Sequence, residues 1–154
     1  MQRSDAISHA EQHFDSGEFQ QTLARRIAVP TESQNPERAQ ALADYLDDDI
    51  RPAFEAMGFE CRTLTHPKAR APFLFAQRLE DTTFPTVFGY GHGDVIRGLE
   101  SEWQAGLSPW RLTESGGRWY GRGIADNKGQ HSVNMGALSS VIETRGRLGF
   151  NAKI

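Results

Sequence analysis

The run Thr86-Val87-Phe88-Gly89-Tyr90-Gly91-His92-Gly93-Asp94-Val95 limits the fold more than any other stretch of this 154-residue chain. From Pro85 to Tyr90 apolar residues fall on successive positions, without helical spacing, which is the pattern of a buried strand of the kind found in parallel sheets. Parallel strands cannot be joined by a hairpin; they need a crossover, usually a helix. A chain built around such a strand is expected to interleave helices with strands. Gly91 and Gly93 then let the backbone turn sharply around His92. Ligands in sheets of this class gather beyond the carboxyl ends of strands, so His92 and Asp94 stand where chemistry is expected.

The rest of the chain fits that frame. Ala6, Ile7, Ala10 and Phe14 form one face of a helix over residues 4–15, with Ser4 as a candidate cap. Ser16-Gly17 interrupts the pattern, and Phe19, Leu23 and Ile27 continue it to Val29-Pro30. Asn35-Pro36 is a helix start. Ala39, Leu42, Ala43, Leu46, Ile50, Ala53, Phe54 and Met57 follow on one stripe, ended by Gly58 and kinked or restarted at Pro52. Phe59 to Thr65 and Phe73 to Leu79 read as strands, with residues 66–72 as a turn or loop. Trp110 to Leu112 and Arg118 to Tyr120 flank Glu114-Ser115-Gly116-Gly117 as a hairpin. Residues 126–145 read as a helix with Val133, Ala137, Val141, Leu138 and Ile142 at fourfold spacing and Gly146 as its cap. Gly149 to Ile154 starts a further strand. The expected class is α/β, with helices packed on a mostly parallel central sheet.

Composition excludes several functions. A net charge of −3 with no Lys/Arg block argues against a nucleic-acid partner. No apolar stretch approaches the ~20 residues of a membrane span, and the N-terminus carries no apolar signal region. The single cysteine, Cys61, cannot form an intramolecular disulfide and reads as a small core residue. Together these favour a reducing, cytoplasmic setting.

The chemistry concentrates in two segments. Asp94 is placed to bond the far nitrogen of the His92 ring, fixing its tautomer. Alone, His-x-Asp is a weak signal. The second segment, Tyr120-Gly121-Arg122-Gly123-Ile124-Ala125-Asp126-Asn127-Lys128-Gly129, surrounds one carboxylate with glycines. Asp126 there is a helix N-cap or a carboxylate able to bridge two cations; a phosphate loop is the weaker reading, since G-x-G lacks the rest of the fingerprint. Asp47-Asp48-Asp49 fans out along a helix and reads as a solvated face. His9, His13 and His66 have no partners in sequence. Trp103, Trp110 and Trp119 read as packing residues, and Arg122 could pair with a carboxylate near the site.

Gly91-His92-Gly93-Asp94-Val95 followed by Gly121-Arg122-Gly123-Ile124-Ala125-Asp126-Asn127-Lys128-Gly129 resembles the M20 family of zinc metallopeptidases, which includes carboxypeptidases, dipeptidases, aminoacylases and desuccinylases. Trp103, Pro109 and Trp119-Tyr120 match its intervening loop. The resemblance implies a zinc-exopeptidase-like fold and a two-zinc centre, with Co2+ or Mn2+ as alternatives. His92 would ligate one metal, Asp126 would bridge both, and the catalytic-site residue Asp94 would steer His92. It implies a cis peptide at Asp126–Asn127, with Asn127 in place of the more usual Asp. It places His131 at the surface or in a supporting position beside the site.

The family's Glu-Glu pair, its further acidic ligand, its distant His and its inserted dimerisation domain have no counterpart in residues 1–154. The resemblance therefore implies the N-terminal portion of a catalytic domain, truncated and inactive alone, from a homodimeric parent. Its substrate would be a small peptide or an N-acyl amino acid, with peptidase and deacylase both open. A non-catalytic binding module is the alternative from another class.

Overall fold

The computed structural model describes residues 3–69 and 71–154. Two helices open the chain, α1 (Arg3–Asp15) and α2 (Glu18–Ala28). Gly17 turns between them at φ 83°, a backbone region that favours glycine. Ser4 lies inside α1 rather than capping it, and α1 buries none of its residues; Ile7 and Phe14 remain exposed. In α2 the fourfold spacing holds: Leu23 and Ile27 are buried, with Arg26 between them.

Asn35 caps the next segment as expected, its side chain accepting the Glu37 N–H, but the first turn, Pro36–Arg38, is 3₁₀. Helices α3 (Ala39–Asp44) and α4 (Arg51–Ala56) are then joined by a π-helical stretch, Tyr45–Ile50. Pro52 explains it. Proline offers no N–H and its ring collides with the carbonyl one turn back, so the preceding turn widens instead of breaking. The widened turn buries Tyr45 and Ile50.

The strands are β1 (Glu60–Leu64), β2 (Phe73–Arg78), β3 (Thr86–Phe88), β4 (Thr113–Ser115), β5 (Arg118–Tyr120) and β6 (Asn151–Lys153). The main sheet has the order β1-β2-β6-β3. Its class is α/β, but the sheet is mixed where a mostly parallel one was expected. β1 and β2 are linked by the short loop over residues 66–72, of which Arg70 lies outside the described residues, and a short loop dictates antiparallel pairing. β6 is antiparallel to β2 and parallel to β3, with Val87 opposite Ala152. The crossover to β6 runs through α5 (Lys128–Arg145), as the apolar run at β3 required. β3 is not buried: it is the sheet edge, and Val87, Phe88 and Tyr90 are exposed.

The second sheet is the β4–β5 hairpin. Its first strand lies later than the Trp110–Leu112 expected from sequence. The reason is the turn: Gly116 (φ 59°) and Gly117 (φ 72°) occupy the two central positions, and a two-residue turn with positive φ at both places pairs Ser115 with Arg118.

The core joins the α3–α4 layer, α5 and the sheet through Tyr45, Ile50, Phe54, Met57, Phe59, Ala76, Met135, Leu148 and Ala152. α5 packs only part of the stripe its fourfold spacing suggested: Leu138, Val141 and Ile142 lie against the core, whereas Val133 is 58% exposed. It buries Lys128, Gly129, Ser132, Met135 and Ser140. Small residues let this face approach its neighbours closely: a Cβ at Gly129 would overlap the Ile124 carbonyl.

Candidate metal centre

Two segments meet at the carboxyl end of β3. The first continues the β3–β6 ladder through Gly89 N–H to Lys153 O (2.8 Å) and then turns at Gly91-His92-Gly93. It is clipped to residues 31–33: Thr31 Oγ1 donates to Gly93 O (2.5 Å), Val95 N–H to Thr31 O (2.8 Å) and Ser33 N–H to Val95 O (3.0 Å). Glu32, 4% exposed, fastens the same loop by accepting from Gly98 N–H (2.7 Å) and Asn35 Nδ2 (3.2 Å), with Arg38 at 3.5 Å.

The second segment is the glycine turn before α5. Lys128 is fully buried and donates through Nζ to Arg26 O (2.8 Å) and Val29 O (2.6 Å). These are carbonyls at the C-terminal end of α2, where the regular helical bonding has ended and the backbone donors that meet them are Val29 N–H to Arg26 O (3.4 Å) and Thr31 N–H to Val29 O (2.9 Å). Burial pushes the Lys128 amine down to about 7. The Asp126–Asn127 peptide is cis, the bond the resemblance pointed to. Asn127 stitches the segments together, its Oδ1 accepting the His92 N–H (3.1 Å) and its Nδ2 donating to Gln130 Oε1 (2.6 Å).

The structure brings together the three site residues singled out in sequence. His92 Nδ1 lies 3.1 Å from both Asp94 Oδ1 and Asp94 O. Both are acceptors, so Nδ1 donates to Asp94. Nε2 lies 3.2 Å from Asp126 Oδ1. A neutral ring protonated at Nδ1 would set a lone pair against that oxygen; either a proton or a metal cation between the two removes the repulsion. Asp126 is otherwise open, its side chain 85% exposed against 32% for His92. The donor set, an imidazole nitrogen held in one tautomer by a carboxylate and facing a free carboxylate, suits zinc and other borderline divalent ions. It is two donors strong: among the described residues no group of three or more His, Cys, Asp or Glu could hold a metal ion.

Other residues depart from their sequence readings. Asp49 is not part of a solvated face but pairs with the buried Arg26 (2.8 Å), whose Nη1 donates to Ser132 Oγ (2.7 Å). His9 meets Glu143 (3.1 Å) and Ser140 (3.3 Å), and His13 meets Glu18 (3.0 Å). Arg122 donates to Gly98 O and lies over Trp103, rather than meeting a carboxylate. The tryptophans pack or bond locally: Trp119 stacks on Phe14 and Phe19, Trp103 donates to Gly98 O, and Trp110 donates to Glu100. His131 takes the supporting position of the two expected for it, not the surface one. Its Nε2 is 2.6 Å from the Tyr45 hydroxyl, and burial, aided by the Arg26 charge, pushes the ring down to about 4. Burial raises the Tyr45 phenol well above its usual value, so the phenol is the donor. Tyr45 was missed in sequence because it reads as one more apolar position on a helical stripe.

Comparison with known proteins gives this arrangement its context. Residues 89–153 match the family described as Peptidase family M20/M25/M40. The chain is 30% identical over 134 residues to a mouse Beta-Ala-His dipeptidase, covering 80% of this chain and 27% of that protein. It is 41% identical over 63 residues to a Cysteinylglycine-S-conjugate dipeptidase of Corynebacterium striatum, covering 40% of this chain and 13% of the relative. The crystal structure of human carnosine dipeptidase 1 superposes with a TM-score of 0.88 at 26% identity, covering 97% of this chain and 33% of that one. The chain thus spans about a third or less of the relatives it matches.

Proposed function

We propose, from the premise that the chain belongs to peptidase family M20/M25/M40, that it forms the N-terminal portion of the catalytic domain of a metal-dependent hydrolase cleaving an amide bond in a small peptide. One observation supports this most directly: His92 Nε2 faces Asp126 Oδ1 at 3.2 Å while Nδ1 lies 3.1 Å from Asp94 Oδ1.

His92 and Asp126 would hold zinc, with Asp126, whose carboxylate is open to solvent, as the bridge between two ions. A bound ion supplies Lewis acidity toward an amide carbonyl and toward water. The chain's own residues set the stage for it. Asp94 keeps the proton on Nδ1, so the nitrogen facing the site stays a donor of electrons. Asn127 holds the His92 backbone, and Lys128 holds the Asp126 turn against α2. Two protein ligands fall short of the three or more usual at catalytic zinc, so these residues alone bind weakly and do not hydrolyse peptides. The homodimeric parent and the reducing, cytoplasmic setting remain part of the same reading, the latter supported by the lone free Cys61.

The test has two steps. Zinc titration of the chain followed by calorimetry should show weak binding that His92→Ala and Asp126→Ala each abolish; unchanged binding in both variants rejects the site. A full-length protein containing this chain should then be given β-alanyl and cysteinylglycine dipeptides beside N-acetyl and N-succinyl amino acids. Hydrolysis of the dipeptides supports the peptidase reading, and hydrolysis of the N-acyl compounds alone replaces it with a deacylase.

A further inference from the structure

Directly beneath the Gly91-His92-Gly93 turn lie two side chains from distant parts of the sequence, Tyr45 from the π-helical stretch and His131 from the first turns of α5. They explain why glycine stands on both sides of His92. A Cβ at Gly91 would sit 2.9 Å from His131 Cβ, and one at Gly93 would overlap the Tyr45 ring. The turn rests on these two residues with no room for a side chain between.

The pair is also wired to His92. The Tyr45 hydroxyl lies 2.6 Å from His131 Nε2. A phenol donates here, which makes Nε2 the acceptor and leaves the proton on Nδ1. Nδ1 faces Asn127 Oδ1 at 3.4 Å, the same oxygen that accepts the His92 N–H at 3.1 Å. Every donor in the series meets an acceptor: Tyr45 O–H to His131, His131 N–H to Asn127, His92 N–H to Asn127. On its other side the Tyr45 ring lies 4.9 Å from the Lys128 ammonium. Tyr45 therefore touches both segments of the site, below His92 through Gly93 and below Asp126 through Lys128, and is 2% exposed.

We propose that Tyr45 and His131 are positioning residues for the metal centre: their hydrogen bond fixes the His131 tautomer and, through Asn127, sets the height and angle at which His92 faces Asp126. This rests on the metal-site reading for its consequence, though not for its geometry. Groups that orient a ligating histidine typically change metal affinity by about 10–100-fold when removed.

The experiment uses the 154-residue chain and three variants. Tyr45→Phe removes only the hydroxyl. His131→Leu removes both nitrogens. His131→Gln keeps an acceptor and a donor at the same spacing. Long-range ¹H–¹⁵N correlation spectra should show His131 as the Nδ1–H tautomer in the wild type and a mixture in Tyr45→Phe. The His92 amide resonance should move upfield in Tyr45→Phe and His131→Leu and return in His131→Gln. Cobalt or zinc affinity should fall about tenfold in the first two and stay within about threefold in the third. A purely structural role would lower the melting temperature and leave the His92 amide where it was, and that result overturns the proposal. Should His131→Leu fail to fold, Tyr45→Phe decides alone. If the wild type binds no metal, the metal-site reading fails while the amide resonance still decides the positioning role.

Discussion

Asn151 carries an unusual load for one side chain. It is 5% exposed, and its carboxamide accepts from the N–H groups of Glu80 and Asp81 and donates to the carbonyls of Asp81 and Phe84. Those partners form the loop between β2 and β3, so one residue of β6 holds the connection between its two neighbours. Each polar group left without a partner in such a place costs about 1–3 kcal/mol. Asn151→Ala should therefore destabilise the chain by about 3 kcal/mol, read as a lower urea midpoint at unchanged slope. Single residues were also where sequence was most and least informative. His92, Asp94 and Asp126 were legible because type and glycine spacing are local signals. Asp49, Tyr45 and His131 were not, because an ion pair with Arg26 or a hydrogen bond across the core exists only once the helices are packed. The π-helical stretch placed Tyr45 and Asp49, and nothing in an apolar stripe announces one.

At the scale of elements, Glu80 joins the end of β2 to the turn entering β6. Its carboxylate accepts from Leu148 N–H (2.7 Å) and Gly149 N–H (2.8 Å) and pairs with Arg78 (3.1 Å). Burial pushes this carboxyl up, but the two amides and the guanidinium outweigh it and hold the group below its ordinary 4.5. A carboxylate depressed in the folded state binds fewer protons there than in the unfolded chain. Its stabilisation is thus complete above 4.5 and is lost as pH falls through the lower folded value. Glu80→Gln should be less stable than the wild type at pH 7 by about 1–3 kcal/mol, and the gap should close on acidification, measured by thermal melts between pH 7 and pH 3. Elements were legible where periodicity and burial agree, as in α2, whose Leu23 and Ile27 are buried. They were misread where small residues replaced apolar ones. In α5 Leu138, Val141 and Ile142 of the expected stripe do pack against the core, but Gly129 and Ser132 take buried positions of its first half while Val133 stays exposed.

For the whole molecule, anchorage is uneven. The core cluster runs through the π-helical stretch, α4, α5 and the sheet, while α1 contributes no buried residue to it. What holds α1 is a rim of partly exposed contacts: Phe14 stacked on Trp119 at 5.6 Å, and His9 against Glu143 and Ser140. Segments with little buried apolar surface open at low free energy. Hydrogen exchange should therefore protect α5 far more than α1, and equal protection would contradict this ranking. Phe54→Ala, at the centre of the core and 5% exposed, should cost about 3–5 kcal/mol. The α/β class was legible at this scale because a strand such as β3 needs a helical crossover. The mixed sheet departs from the mostly parallel one expected, because the short loop between β1 and β2 requires antiparallel pairing.

The strand order β1-β2-β6-β3 also sets a schedule. β1 and β2 can zip together as soon as they leave the ribosome, being joined by a short loop. β3 has no such neighbour. It emerges with Val87, Phe88 and Tyr90 uncovered and waits, through the synthesis of the loop, the hairpin and the whole of α5, for the strand that will sit beside it. Pairings this distant along the chain are slow to form, because the intervening loop must be closed before any contact rewards it. During that interval the segment bearing His92 is an open, sticky strand edge. His92 and Asp94 are thus made well before Asp126, and the strand that leads into them is paired only once β6 has followed α5.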